Sequence, residues 1–239
     1  MEKASFLGHL QELRSRILKS LAIILFCFLG LIYFSNDIYL ILSEPLLGFL
    51  PADSSMIATE VASPFLTPLK LTFYVSLLVS MPFLLNQLWQ FIAPGMYENE
   101  KSLSFLLMLS SLMLFYLGVL FTYFLVLPLV FSFFTAAAPD GILIMTDISR
   151  YLDFVLGMMF AFSIAFEIPV FIFLLIWSGV STSESLRNKR PYVVIGCFTI
   201  GMLVTPPDVI SQSLLAIPAW ILFELGIIMA NFFVSKEEE

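Results

Sequence analysis

Phe91-Ile-Ala-Pro-Gly-Met-Tyr-Glu-Asn-Glu100, followed by Lys101, is a short polar turn set between two long apolar runs. It carries two acids, a proline, a glycine and aromatics. A loop that only joins two apolar segments requires neither the acids nor the aromatics. Two readings are open. One is an interfacial connector, with Trp89 and Tyr97 as membrane-belt residues. The other is a docking site for a cationic partner, because Glu98 and Glu100 stand where membrane proteins commonly place lysine and arginine. Under both, the flanking runs are membrane spans.

Composition agrees. The 239 residues are 60% hydrophobic and only 12% charged, with a mean hydropathy of +0.99, whereas soluble domains carry about 25% charged residues. The expectation is a polytopic, all-α membrane protein, residues 1–239 forming one integral membrane domain. A net charge of −7 is no nucleic-acid footprint. Cys27 and Cys197 lie inside apolar runs and read as small buried hydrophobes. One histidine, His9, gives no basis for a histidine metal site. The first apolar run has no small-residue cleavage site after it and reads as a retained span.

Outward from the central turn, hydropathy places six spans at about 17–34, 68–92, 103–134, 150–177, 192–204 and 209–233. An amphipathic helix precedes the first, with Phe6, Leu10, Leu13 and Ile17 at helical spacing and Glu12 four residues before Arg16. The segment Ser35 to Thr67 is polar and broken by Pro45, Pro51 and Pro64, with a short surface helix expected over Ile38–Ser43. The fifth span, 192–204, is about 20 Å long at 1.5 Å per residue, against a hydrocarbon core of about 30 Å. Six spans put both termini on one face. That face holds Lys3, Arg14, Arg16, Lys19, Lys101, Arg187, Lys189, Arg190 and Lys236; only Lys70 and Arg150 fall on the other. The positive-inside rule then makes both termini, and the Phe91–Glu100 turn, cytoplasmic.

Glu167 lies inside the fourth span, two residues before Pro169, which has no N–H to donate. A carboxylate there costs several kcal/mol or takes up a proton. It reads either as a protonated group bonded to a neighbouring helix or as a polar element facing a wet concavity. Glu224, nearer the end of the sixth span, reads as reaching the headgroups. Pro82, Pro128, Pro169 and Pro218 each bend a different span. No histidine–glutamate zinc motif, nucleophile elbow or phosphate-binding glycine loop occurs, so nothing supports an enzyme and no cofactor is called for.

Five blocks, His9-Leu-Gln-Glu-Leu-Arg-Ser-Arg16, Phe91 to Glu100, Phe166-Glu-Ile-Pro-Val170, Lys189-Arg-Pro-Tyr192 and Thr205-Pro-Pro-Asp208, occur in order across the six spans. Together they resemble the TatC family, the receptor subunit of the twin-arginine protein translocase. The resemblance covers nearly the whole chain. It implies a cupped, glove-like bundle of six helices with short fifth and sixth helices. It further implies export of folded proteins driven by the proton-motive force, in the inner membrane of a prokaryote, with small single-span subunits of the TatA and TatB type as partners. Cytoplasmic recognition of paired-arginine signal peptides is implied for Glu12, Phe91 and Glu100. Arg14 and Glu98 are further candidates. The family's intramembrane acid matches Glu167, its outer-turn acid Asp208, and a proline of its first outer loop Pro45. The competing expectation is a proton-coupled small-molecule transporter with Glu167 as carrier group. Such folds often carry internal repeats, and none is visible here.

Overall fold

The structure is a computed structural model that describes residues 2–48, 56–92, 101–137, 145–204 and 208–234. Glu98, Glu100, Tyr97, Thr205-Pro206-Pro207 and the acidic tail lie outside the described residues. Those described are almost entirely helical: α1 (Glu2–Leu31), α2 (Ser35–Leu47), α3 (Ser63–Ile92), α4 (Lys101–Phe121), α5 (Leu127–Ala136), α6 (Ile148–Ala165), α7 (Ile168–Trp177), α8 (Ser183–Asn188), α9 (Arg190–Val204) and α10 (Val209–Val234).

Among the described residues, five helical stretches are long and apolar enough to cross a membrane: Leu10–Ser43, Ser63–Phe91, Phe105–Ala136, Ile148–Trp177 and Val209–Phe232. A further apolar segment, α9, fifth in chain order, has 15 residues, about 22 Å of helix. The six expected segments are therefore present and the fifth is short. The sixth is not, because α10 runs for 26 residues straight through Pro218. The start of the chain also differs from expectation. The amphipathic segment and the first span form one helix, and the chain does not leave helical structure at Phe34. A 3-10 turn, Ile32–Phe34, leads directly into α2, with Asp37 in its first turn, where an acid complements the helix dipole.

Contacts divide the chain into two compact units. The first comprises Met1–Glu44 and Ala58–Leu112, the second Pro45–Ile57 and Met113–Glu239. In the first unit α1 packs along α3, and the Phe28 and Phe73 rings meet edge to face at 6.1 Å. Trp89 is 4% exposed, so its ring is buried and is not a belt residue. Along α3, Ser63, Thr67, Thr72, Ser76 and Ser80 are all buried. Several satisfy their hydroxyls on their own helix, as Thr72 does on the Pro68 carbonyl at 2.8 Å.

In the second unit α10 packs against α7 and α9. The approaches are made by glycine. A Cβ on Gly226 would lie 2.9 Å from Pro169 Cα, and one on Gly118 would lie 2.8 Å from the Phe162 carbonyl oxygen. Small residues at such crossings let helix backbones meet without a side chain between them. Span three is interrupted by a π turn at Thr122–Val126, where the Leu127 N–H reaches back to the Thr122 carbonyl. Pro128, next in the chain, has no N–H and its ring would strike the carbonyl four residues earlier, so a wider turn relieves it. Span four breaks at Phe166-Glu167 for the same reason, with Pro169 in the first turn of α7. Gly179, at φ 71°, then stops α7 in the left-handed conformation that glycine adopts without penalty. Outside the spans, Ile57 pairs with Asp147 in one parallel bridge.

Candidate functional site

The first unit carries a polar cluster where α1 meets the end of α3. Glu12 and Arg16 face the same way because they are four residues apart on one helix. Arg16 Nη2 and Nε donate to Glu12 Oε1 at 2.6 and 3.0 Å. The same guanidinium reaches across to α3. Its Nη1 donates to Gln90 Oε1 at 3.0 Å and Gln87 Oε1 at 3.4 Å, and Nη2 donates to the Gln90 backbone carbonyl at 3.1 Å. The last carbonyls of a helix have no partner within it, so Arg16 also caps α3. Gln90 is steadied in turn by Asn86 at 3.1 Å. Phe91, half-buried, follows directly. It lines a cleft of about 280 Å³ with Leu13, Arg16, Ile17, Leu84 and Leu88. The forked arginine that lines this apolar slot also holds the Glu12 carboxylate. Arg14 is exposed on α1.

The amides Gln87 and Gln90 were not singled out by sequence reasoning. The signal was present: Asn86, Gln87 and Gln90 put polar groups at helical spacing in the last turns of an apolar span, where an unsatisfied amide would be costly.

The remaining candidates lie in the second unit. Glu167 sits at the break between α6 and α7. It is half-buried, its Oε1 is shielded from solvent, and its carbonyl accepts the Phe171 N–H at 3.0 Å. Ile164, Ala165 and Ile168, its neighbours in sequence, line an apolar cavity of about 500 Å³ with residues of α9 and α10. Asp208 is the N-cap of α10, its Oδ1 accepting the Ser211 N–H at 2.7 Å. Its Oδ2 and the Ser211 hydroxyl are buried with no hydrogen-bond partner among the described residues. Pro45 falls in the last turn of α2. Glu224 has a partner that the sequence did not suggest. It takes the Arg190 guanidinium in a two-pronged pair, Nε to Oε1 at 2.6 Å and Nη2 to Oε2 at 2.5 Å, the arrangement a planar guanidinium and a carboxylate favour. Cys27 and Cys197 are free thiols, the second buried. Among the described residues no group of three or more histidine, cysteine or acidic side chains is placed to hold a metal.

Residues 8–218 match the family described as Sec-independent protein translocase protein (TatC). The chain belongs to the TatC family. It is 54% identical to the TatC of Azotobacter chroococcum over 231 residues, 97% of this chain and 91% of that one. It is 53% identical to the TatC of Escherichia coli over 228 residues, 95% of this chain and 88% of that one. In three dimensions it resembles a crystal structure of the twin-arginine translocase receptor TatC, with a TM-score of 0.85 at 34% identity, over 94% of this chain and 98% of the other. As a TatC it is a multi-pass membrane component of the twin-arginine translocase, working in a complex with other Tat subunits, and not an enzyme. The small-molecule transporter reading is not favoured.

Proposed function

We propose that this TatC is the signal-peptide receptor of its translocase, lies in the inner membrane with both termini in the cytoplasm, and binds paired arginines through Glu12, Phe91 and Glu100. The observation that supports the reading is the Glu12 carboxylate bonded to Arg16, which lines an apolar cleft together with Phe91. A guanidinium is a planar fork that a carboxylate accepts through two oxygens, whereas a lysine ammonium is a point charge. Two guanidinium groups require two acceptors, and Glu12 and Glu100 supply them from one face by the positive-inside assignment. Glu98 adds negative charge to the same turn. Arg14, a like charge, disfavours arginine and has no direct part in this reading. Single-span subunits of the TatA and TatB type complete the machine, and Glu167 and Asp208 are its functional polar residues in and beside the membrane.

The test is binding of a fluorescent twin-arginine signal peptide to the purified chain in detergent. Truncating one partner of a buried charged pair costs about 2–5 kcal/mol, so Glu100→Gln is expected to weaken binding by about 30-fold or more. A twin-lysine peptide is expected to bind comparably poorly. Equal binding of both peptides to the unaltered chain, or full affinity in the glutamine variant, would overturn the reading.

A further inference from the structure

The cavity lined by α6, α7, α9 and α10 is apolar throughout: the described residues around it include no charged, amide or hydroxyl side chain. Leu215 and Ala219 of α10 form a buried wall, whereas Phe160 and Ile164 of α6 and Ile200 of α9 line the cavity and are exposed. It therefore opens sideways, between α6 and α9, onto the apolar surface that a multi-pass protein turns to the bilayer. Water gains nothing in such a space, because no polar group is there to hold it. Left empty, the walls would forfeit the dispersion contacts of a packed interior. At about 500 Å³ the cavity falls in the ~300–1,000 Å³ range of ligand sites.

From this we infer that the cavity is a lipid site, taking one hydrocarbon chain of a bilayer phospholipid inserted sideways between α6 and α9. The other apolar occupant, a helix crossing the membrane, is stopped by the walls themselves. At one end α6 meets α9, where a Cβ on Gly157 would lie 3.8 Å from Val204 Cγ1. Beyond Ile168, at the other end, α7 closes on α10, where a Cβ on Gly226 would lie 2.9 Å from Pro169 Cα. A spanning helix needs a groove open at both ends; a flexible chain needs only the side opening. The walls are also held in advance. Gln212 Nε2 donates to the Phe198 carbonyl at 2.7 Å, and Gly201 lets the Gln212 side chain lie against α9. A preformed site spares its ligand the cost of ordering the protein. The short α9 supplies the chain: at about 22 Å it falls short of a hydrocarbon core of about 30 Å, and the bilayer beside it thins. A chain displaced from the thinned leaflet regains contacts inside the cavity. Lipid tails are as apolar as the walls, so the gain lies in packing, and the site holds its chain exchangeably. The inference does not draw on the recognition role proposed above.

The test places the purified full chain in phosphatidylcholine vesicles that carry a photoreactive diazirine midway along one lipid chain. After illumination, lipid adducts are mapped by peptide mass spectrometry. The reference is Leu25, Phe26 and Leu29 of α1, which are exposed and line no described cavity. The stretches 157–168 and 197–204 are expected to carry at least about 3-fold more adduct per exposed residue than this reference, as a site that encloses its ligand should over an open surface. Ala161→Phe fills the cavity from α6. It is expected to cut the adduct on 197–204 by about 3-fold or more and to leave α1 labelling unchanged, with Ala161→Leu in between. Adding phosphatidylcholine to the detergent-solubilised protein should raise the thermal midpoint of the unaltered chain more than that of Ala161→Phe, because a ligand stabilises only the state that binds it. Equal labelling per exposed residue on α1, α6 and α9 of the unaltered chain would overturn the inference, whether or not the variants fold. So would undiminished labelling of 197–204 in either folded variant. Labelling at the cavity that falls away as the protein-to-lipid ratio rises would assign the space to a second copy, and would overturn it as well.

Discussion

The two compact units treat their apolar surface in opposite ways. No described residue of α1 is buried; Leu18, Leu21, Leu25, Phe26 and Leu29 all stand exposed along it. In the second unit Leu127, Val130, Val155, Met158 and Phe162 are fully enclosed, and Gly118 and Gly226 bring backbones into direct approach. In a bilayer, exposed apolar side chains carry little penalty, so the first unit can leave α1 facing lipid and concentrate its polar bonds at one end. The second unit is a scaffold whose order depends on close packing. On the function proposed above, the difference separates two kinds of residue: those of the first unit whose change alters what is bound, and the packing residues of the second whose change alters how firmly the chain folds.

The predictions press on that division. The largest effect belongs to Glu12→Gln. Affinity for a twin-arginine peptide should fall by about 2–5 kcal/mol, while the thermal midpoint followed by circular dichroism in detergent stays within about 2 °C, as surface changes generally allow. A collapsed midpoint would erase the distinction between the units. Next is Gly226→Ala, whose new methyl meets Pro169 Cα at 2.9 Å and Ile172 Cβ at 3.0 Å. Forcing α7 and α10 apart should cost about 1–3 kcal/mol of stability. Peptide affinity of the folded fraction should hold within about 2-fold, since nothing in the first unit is touched.

A smaller loss is expected at Asp208. Alanine removes the N-cap bond to Ser211 and about 1 kcal/mol with it; asparagine caps equally well. Asp208→Asn therefore isolates the charge. Retained stability with lost export in cells would assign the carboxylate a role beyond capping; retained export would leave it a cap. The smallest effect should come from Glu224→Gln. It undoes the forked pair with Arg190, and it should lower the midpoint by less than Gly226→Ala while leaving peptide affinity unchanged. A change in affinity there would mean the scaffold communicates with the binding face.

Much of this was legible in the sequence because the signals are local. A 20-residue apolar run announces a span, and Glu12 four residues before Arg16 announces a pair on one helix face; the pair is present at 2.6 Å. Pro169 beside Glu167 foretold the interruption of span four. What escaped reading depends on partners far along the chain. Arg190 and Glu224 are 34 residues apart, and no spacing rule links them. Trp89 looked like a belt residue because its neighbours are polar, but burial depends on what packs over the ring. Ser35-Asn36-Asp37 looked like an exit from the membrane, yet such residues also begin helices. The long reach of Arg16 onto Gln87 and Gln90 was hidden behind its obvious local partner. In each case the residue types were informative and the tertiary neighbour was not.

The central claim is that Glu12 contacts a signal arginine directly. A double-mutant cycle tests it most simply: Glu12→Gln in the receptor against arginine-to-lysine at each of the two peptide positions, with affinity measured by fluorescence anisotropy. The account predicts a coupling energy of at least about 1.5 kcal/mol with one arginine, in the range of close charged pairs, and near-additivity with the other. Additivity at both positions, to within about 0.5 kcal/mol, would contradict it.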